Sequence, residues 1–208
     1  MKLVLIPGLA ATSAMYGPEF DGLAAEVVRL DWPEHGGEAS IAAMAERLLD
    51  EHRLDDADVI AGSSLGGMVG AEIAERAPPR ALVLIGSARR PGEVNSLLRQ
   101  VAKLRDVLPL EHLRNLVGLD FFSGRAPVLE MLAAADPAQV RALCGAIFAW
   151  DGRPRPACPS PRIHGAWDLV IPPPTEGVTI VPRAGHMLAM THGERVAGFL
   201  RGVLEGLR

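Results

Sequence analysis

The sequence predicts an α/β fold: a mostly parallel sheet of about six strands, helices on both faces, and a helical cap inserted late in the chain. Three observations carry this. Short apolar runs alternate with segments of helical period. The runs are continuous in apolar character, as expected of strands covered on both faces. The alternation stops once, over residues 88–157, where the pattern is helical throughout. A chain of 208 residues is long enough for one full core. Residues 1–208 are therefore read as a single domain, with 88–157 as its cap.

The first strand is the run Lys2–Ile6, broken at Pro7-Gly8. Residues 27–30 form a second, stopped by Asp31-Trp32-Pro33, and 59–61 a third, entered from Asp55-Asp56-Ala57-Asp58. Ala81–Ile85 is a fourth, ended by Gly86; 162–164 and 179–181 are the fifth and sixth. Between them Ile41, Ala45, Leu48 and His52 fall on one helical face, with Ser40 as N-cap. The closing segment places Val196, Phe199, Leu200, Val203, Leu204 and Leu207 on one stripe. Gly198, Gly202 and Gly206 recur beside it, a spacing suited to close packing of helix on sheet. In the insertion, Val94, Leu97, Leu98, Val101, Leu104 and Leu108 have helical spacing. Pro109 suits a first helical turn and Gly118 a helix end. Asp136-Pro137 opens another helix, carrying Val140, Leu143, Cys144, Ile147 and Phe148.

Composition narrows the function classes. With 49% hydrophobic and 22% charged residues, the chain is neither a disordered tail nor a coiled coil. A net charge of −4 argues against a protein built around nucleic acid. No run approaches the ~20 apolar residues of a membrane span. The opening residues mimic a signal peptide, but Pro7-Gly8 interrupts the apolar stretch, which is read as the first core strand. Cys144 and Cys158 lack metal-ligand spacing and are read as reduced thiols of a cytoplasmic protein. The insertion has a mild basic excess, read as a solvated helical surface.

Chemistry concentrates at three strand ends. Gly62-Ser63-Ser64-Leu65-Gly66-Gly67 follows the third strand and precedes a helix, fitting G-x-S-x-G centred on Ser64. A serine on so sharp a turn needs neighbours without side chains, and the turn lifts its hydroxyl above the sheet edge at a helix N-terminus. His164-Gly165-Ala166-Trp167-Asp168 follows the fifth strand, and Arg183-Ala184-Gly185-His186-Met187 the sixth. A serine hydroxyl needs a base. Imidazole has a suitable pKa, and a carboxylate fixes its tautomer. The order Ser64, Asp168, His186 supplies all three, beyond the C-terminal ends of strands, where open α/β sheets bind ligands.

With Pro7-Gly8-Leu9 and Gly185-His186, these motifs resemble those of the α/β-hydrolase superfamily over essentially the whole chain. The resemblance implies Ser64 as nucleophile, His186 as base and Asp168 as acid. It also implies an oxyanion hole from the backbone N–H groups of Leu9 and Leu65. Met187 is a candidate substrate-binding residue. His192 precedes a helix and is read as a cap, His164 as structural, and His35-Gly36-Gly37 as a surface turn. The chain departs from many relatives in lacking two strands before the first, in having Pro7 where they have His, and in reducing the helix before the last strand to 171–174. The implied reaction is hydrolysis of a carboxylic ester of a small or medium substrate, with no metal and no organic cofactor. Alternatives are thioester hydrolysis or a lyase on the same triad, and a non-hydrolysing binding or receptor protein that kept the fold. Oligomeric state is not encoded in any of these patterns.

Overall fold

The computed structural model describes residues 1–54, 57–95, 134–153 and 157–208. Six strands form one parallel sheet: β1 (Lys2–Ile6), β2 (Glu26–Arg29), β3 (Val59–Ser63), β4 (Ala81–Ile85), β5 (Arg162–Gly165) and β6 (Val178–Val181). Their spatial order is β2-β1-β3-β4-β5-β6. The described helices are α1 (Ile41–His52), α2 (Leu65–Arg76), α3 (Pro137–Ala149), α4 (Leu188–Thr191) and α5 (Gly193–Gly206).

The central strands β1, β3 and β4 are apolar at nearly every position, Lys2 and Ser63 at their ends excepted, because both faces are covered. Val4, Ile6, Ile60, Leu82 and Leu84 point into one core with Met44 and Leu48 of α1, Met68 and Ile73 of α2, and Leu143 and Ile147 of α3. Leu3, Leu5, Val59, Val83 and Ile85 point into the other, against Leu188 of α4 and Val196, Leu200 and Leu204 of α5. Each such side chain taken out of water contributes roughly 1.5–3 kcal/mol. The pattern weakens at the two edges. β2 is half-buried, and on β6 Ile180 is 43% exposed.

Local signals set the helix starts. The Ser40 hydroxyl accepts from the Ala43 amide at 3.0 Å, and Asp136 Oδ1 accepts from Ala138 at 2.9 Å ahead of Pro137. His52, expected on the buried stripe of α1, is exposed at its last turn. Residues 166–177 hold no helix, in line with the reduced connection expected there.

Two expectations need correction. The stretch 88–157 is not helical throughout. Residues 88–95 contain only the 3₁₀ turn Pro91–Glu93, after which Val94 is extended, and 150–153 turn irregularly through Gly152 at φ 83°. The helical spacing from Leu97 to Leu108, Pro109 and Gly118 lies outside the described residues. The glycines of α5 do not pack on the sheet either. Positions 198, 202 and 206 face open space, because the wider residues beside them occupy the buried stripe.

α3 runs beside α1 and α2. Near its start, Gln139 Nε2 donates to the Pro33 carbonyl, in the loop after β2, at 2.7 Å. Just past its end, Trp150 Nε1 donates to the buried Glu72 Oε1 of α2 at 2.6 Å. Arg153 and Arg76 contact Glu72 Oε2 at 2.9 and 3.0 Å. Removing either cation leaves the carboxylate a second one, whereas a lone buried charge would cost several kcal/mol.

Candidate active site

β3 delivers Ser64 at its C-terminal end and α2 begins at the next residue. The turn is strained: Ser64 has φ 51° and ψ −117°, unfavourable for a residue with a Cβ. Glycines make it possible. A Cβ on Gly62 would collide with the Gly66 and Gly67 backbone, and one on Gly66 with the Ile6 and Pro7 carbonyl oxygens. Hydrogen bonds hold the turn on both sides. The Ser64 amide donates to Ile85 O at 3.0 Å, and the Ser64 carbonyl accepts from Gly67 N at 3.1 Å and Ser87 Oγ at 2.6 Å. Ser64 occupies the N-cap position of α2 but its side chain makes no cap bond, so the hydroxyl is free for another partner.

That partner is His186, whose Nε2 lies 2.9 Å from Ser64 Oγ. Its Nδ1 lies 2.9 Å from Asp168 Oδ2 and 3.1 Å from Oδ1. An ionised carboxylate only accepts, so Nδ1 carries the ring proton and Nε2 accepts from the serine. Asp168 is itself fixed: Oδ1 accepts from the Val170 and Ile171 amides at 3.0 and 2.9 Å, and the side chain is buried. Gly86, at φ 51°, lies beside the pair in a left-handed conformation that favours glycine, and a Cβ there would press on Leu188 Cδ2 at 2.9 Å. The structure thus brings Ser64, His186 and Asp168 from three strand ends into one hydrogen-bonded line.

The remaining expected residues surround it. A Cβ built on Gly8 would lie 3.7 Å from Ser64 Cβ, so the loop after β1 abuts the serine and carries Leu9 beside it. Leu65, first residue of α2, has an amide without an intrahelical acceptor. Met187 follows His186 and is half-buried at the start of α4. His192 does not cap α5 through its side chain; its Nδ1 lies 2.9 Å from Thr191 Oγ1. Gly36 and Gly37 are exposed, as a surface turn requires. Among the described residues no group of three or more His, Cys, Asp or Glu side chains could hold a metal ion, and no helix is long and apolar enough to cross a membrane.

His164 of β5 is fully buried and its ring nitrogens make no hydrogen bond. Burial, reinforced by the Arg162 charge, pushes its pKa from 6.5 down to about 4. It is a neutral packing residue beneath the site. Ser87, Trp32 and Tyr16 carry roles the sequence did not reveal. Each acts through a hydrogen bond to a distant segment, and no local motif announces such a bond.

A family model described as alpha/beta hydrolase family matches residues 3–199. No curated protein matches the sequence. Among solved structures, a thermophilic esterase from Thermogutta terrifontis is 24% identical, with a TM-score of 0.76 over 99% of this chain and 90% of that one. An enol-lactonase from Burkholderia xenovorans LB400 is 22% identical, with a TM-score of 0.77 over 98% and 91%. The RedJ thioesterase of the prodiginine pathway in Streptomyces coelicolor is 24% identical, with a TM-score of 0.63 over 97% and 89%. At such identities the likeness establishes a shared fold.

Proposed function

The chain belongs to the alpha/beta hydrolase family, and from that premise we propose that it is a serine hydrolase cleaving a carboxylic ester of a small or medium substrate. The observation that carries the reading is the line Ser64 Oγ, His186 Nε2, His186 Nδ1, Asp168 Oδ2, with 2.9 Å at each hydrogen bond.

In this reading His186 Nε2 takes the Ser64 proton as Oγ attacks the ester carbonyl. Asp168 stabilises the imidazolium that results. The Leu9 and Leu65 amides receive the oxyanion, each contributing about 3 kcal/mol to the transition state. His186 then protonates the leaving alcohol, and water repeats the cycle on the acyl-enzyme. Met187 and Leu9 line the acyl side. We take α3, the described helix of the 88–157 insertion, as part of a cap that would limit substrate size and restrict water. The contact of Gln139 with the loop after β2, at the sheet edge where Ser64 emerges, supports that placement.

The test is turnover of p-nitrophenyl esters of rising chain length with fluorophosphonate labelling. Wild-type protein should label stoichiometrically at Ser64. Ser64→Ala should lower turnover by at least about a thousandfold, and Asp168→Asn by roughly ten-thousandfold by favouring the wrong tautomer. Near-normal turnover in Ser64→Ala would refute the assignment. The esterase, enol-lactonase and thioesterase among the structural neighbours argue for including a lactone and a thioester in the panel, since all three present a carbonyl to the same serine.

A further inference from the structure

We infer that Trp32 is a positioning residue for the oxyanion hole, acting through its indole N–H on the peptide that joins Gly8 to Leu9. The inference rests on the reading of Ser64 as nucleophile and Leu9 N–H as oxyanion donor.

The segment after β1 carries only the short 3₁₀ turns Ser13–Met15 and Pro18–Phe20, and it is pinned to the fold at several points. The buried Tyr16 hydroxyl donates to Ile6 O at 2.6 Å. The Gly8 amide donates to Met15 Sδ at 3.3 Å. Ser13 gives both its amide and its hydroxyl to Asp31, at 2.6 and 3.0 Å. Trp32 Nε1 donates to Gly8 O at 2.8 Å. Asp31 and Trp32 are adjacent in sequence, so one loop after β2 grips the segment at two places.

The Trp32 bond differs from the others because of the peptide it engages. The Gly8 carbonyl and the Leu9 amide belong to one planar trans unit and point in opposite directions. Fixing the carbonyl toward Trp32 therefore fixes the Leu9 N–H away from it. The Ala11 amide, at 3.2 Å, is the carbonyl's other donor and belongs to the same loop, so the Trp32 bond is the one that ties this carbonyl to a different segment. Among the described residues the Leu9 N–H meets no acceptor, which leaves it available to a ligand oxygen. Leu9 and Trp32 are also both partly buried against the same core. An oxyanion donor is useful only if its direction is set before the charge forms.

Two replacements test this. Trp32→Phe keeps a ring and removes the N–H. Substituting β-(3-benzothienyl)alanine at position 32 keeps the bicyclic shape and puts sulfur where the N–H stood. In both, kcat for a p-nitrophenyl ester should fall about tenfold and the rate of fluorophosphonate labelling by a similar factor. KM should stay within about twofold, as expected when only transition-state stabilisation is lost. The melting temperature should be unchanged in the benzothienyl variant, which decides the matter if Trp32→Phe folds poorly. Wild-type kcat in the benzothienyl variant would overturn the inference, as would a raised KM at unchanged kcat. Wild-type protein that neither labels nor turns over ester would overturn the Ser64 reading itself, and this inference with it.

Discussion

Gly62, Gly66 and Gly67 at the serine turn and Gly198, Gly202 and Gly206 along α5 are two sets of glycines with contrasting surroundings. Around the turn a methyl group has nowhere to go: backbone atoms of β1 and α2 and the Ser87 side chain already occupy the space. Along α5 nothing lies within 4 Å of the same hypothetical methyl group. Both sets recur within a short span of chain and both invite a packing argument. Spacing along the chain reports which positions share a face. It does not report what stands opposite, and the sheet edge is crowded only because three strand ends converge there.

The largest effect expected from this contrast is at Gly66. Gly66→Ala should cost more than about 4 kcal/mol or abolish folding, because the obstructing atoms are the Ile6 and Pro7 carbonyls and cannot move without shifting β1. Melting within a few degrees of wild type would break the comparison.

His164 adds a pH dimension to the crowded edge. Its folded pKa of about 4 lies below the usual 6.5, so the unfolded chain takes up a proton first as pH falls. Stability present above pH 6.5 is therefore lost progressively toward pH 4, by about 3 kcal/mol from this group. Urea titrations at pH 7 and pH 4 should show His164→Gln, which does not titrate, with a pH dependence flatter by that amount. Parallel profiles would remove His164 from the account.

Ser87 gives a smaller effect at the same place. Ser87→Ala removes the hydroxyl donor to the Ser64 carbonyl, which keeps the Gly67 amide, so the loss should be about 1–2 kcal/mol in denaturant unfolding. A cost below experimental error would mean that the turn is held by its glycines alone. The smallest effect has the opposite sign. Gly202→Ala should raise stability by about 0.5–1 kcal/mol, since an open helical position gains from the better helix former. A loss there would show that this face of α5 is covered.

Much of the fold was legible because its causes are local. Pro7-Gly8, Asp31-Trp32-Pro33 and Gly86 end strands wherever they occur, and Ser40 and Asp136 start helices through their own side chains. The strand ends carrying Ser64, Asp168 and His186 were equally readable, since each is a short motif beyond an apolar run. The misjudged segments, 88–95 and 150–153, flank stretches of helical spacing but lack a helical backbone themselves. Pro91, Gly92 and Gly152 divert the chain, and periodicity does not register how strongly such breakers act.

The sequence by itself determined the order of elements, the doubly covered sheet and the three residue types that meet at its edge, because helical and strand periods and glycine-rich turns are properties of neighbouring residues. Only the tertiary structure decided which polar groups hold the edge in shape. Trp32 reaches Gly8 across 24 positions, Ser87 reaches Ser64 across 23, and Trp150 reaches Glu72 across 78. A hydrogen bond depends on distance and direction to within tenths of an ångström. Sequence separation carries no such information, so these bonds become visible only when the packed sheet sets the loops beside one another.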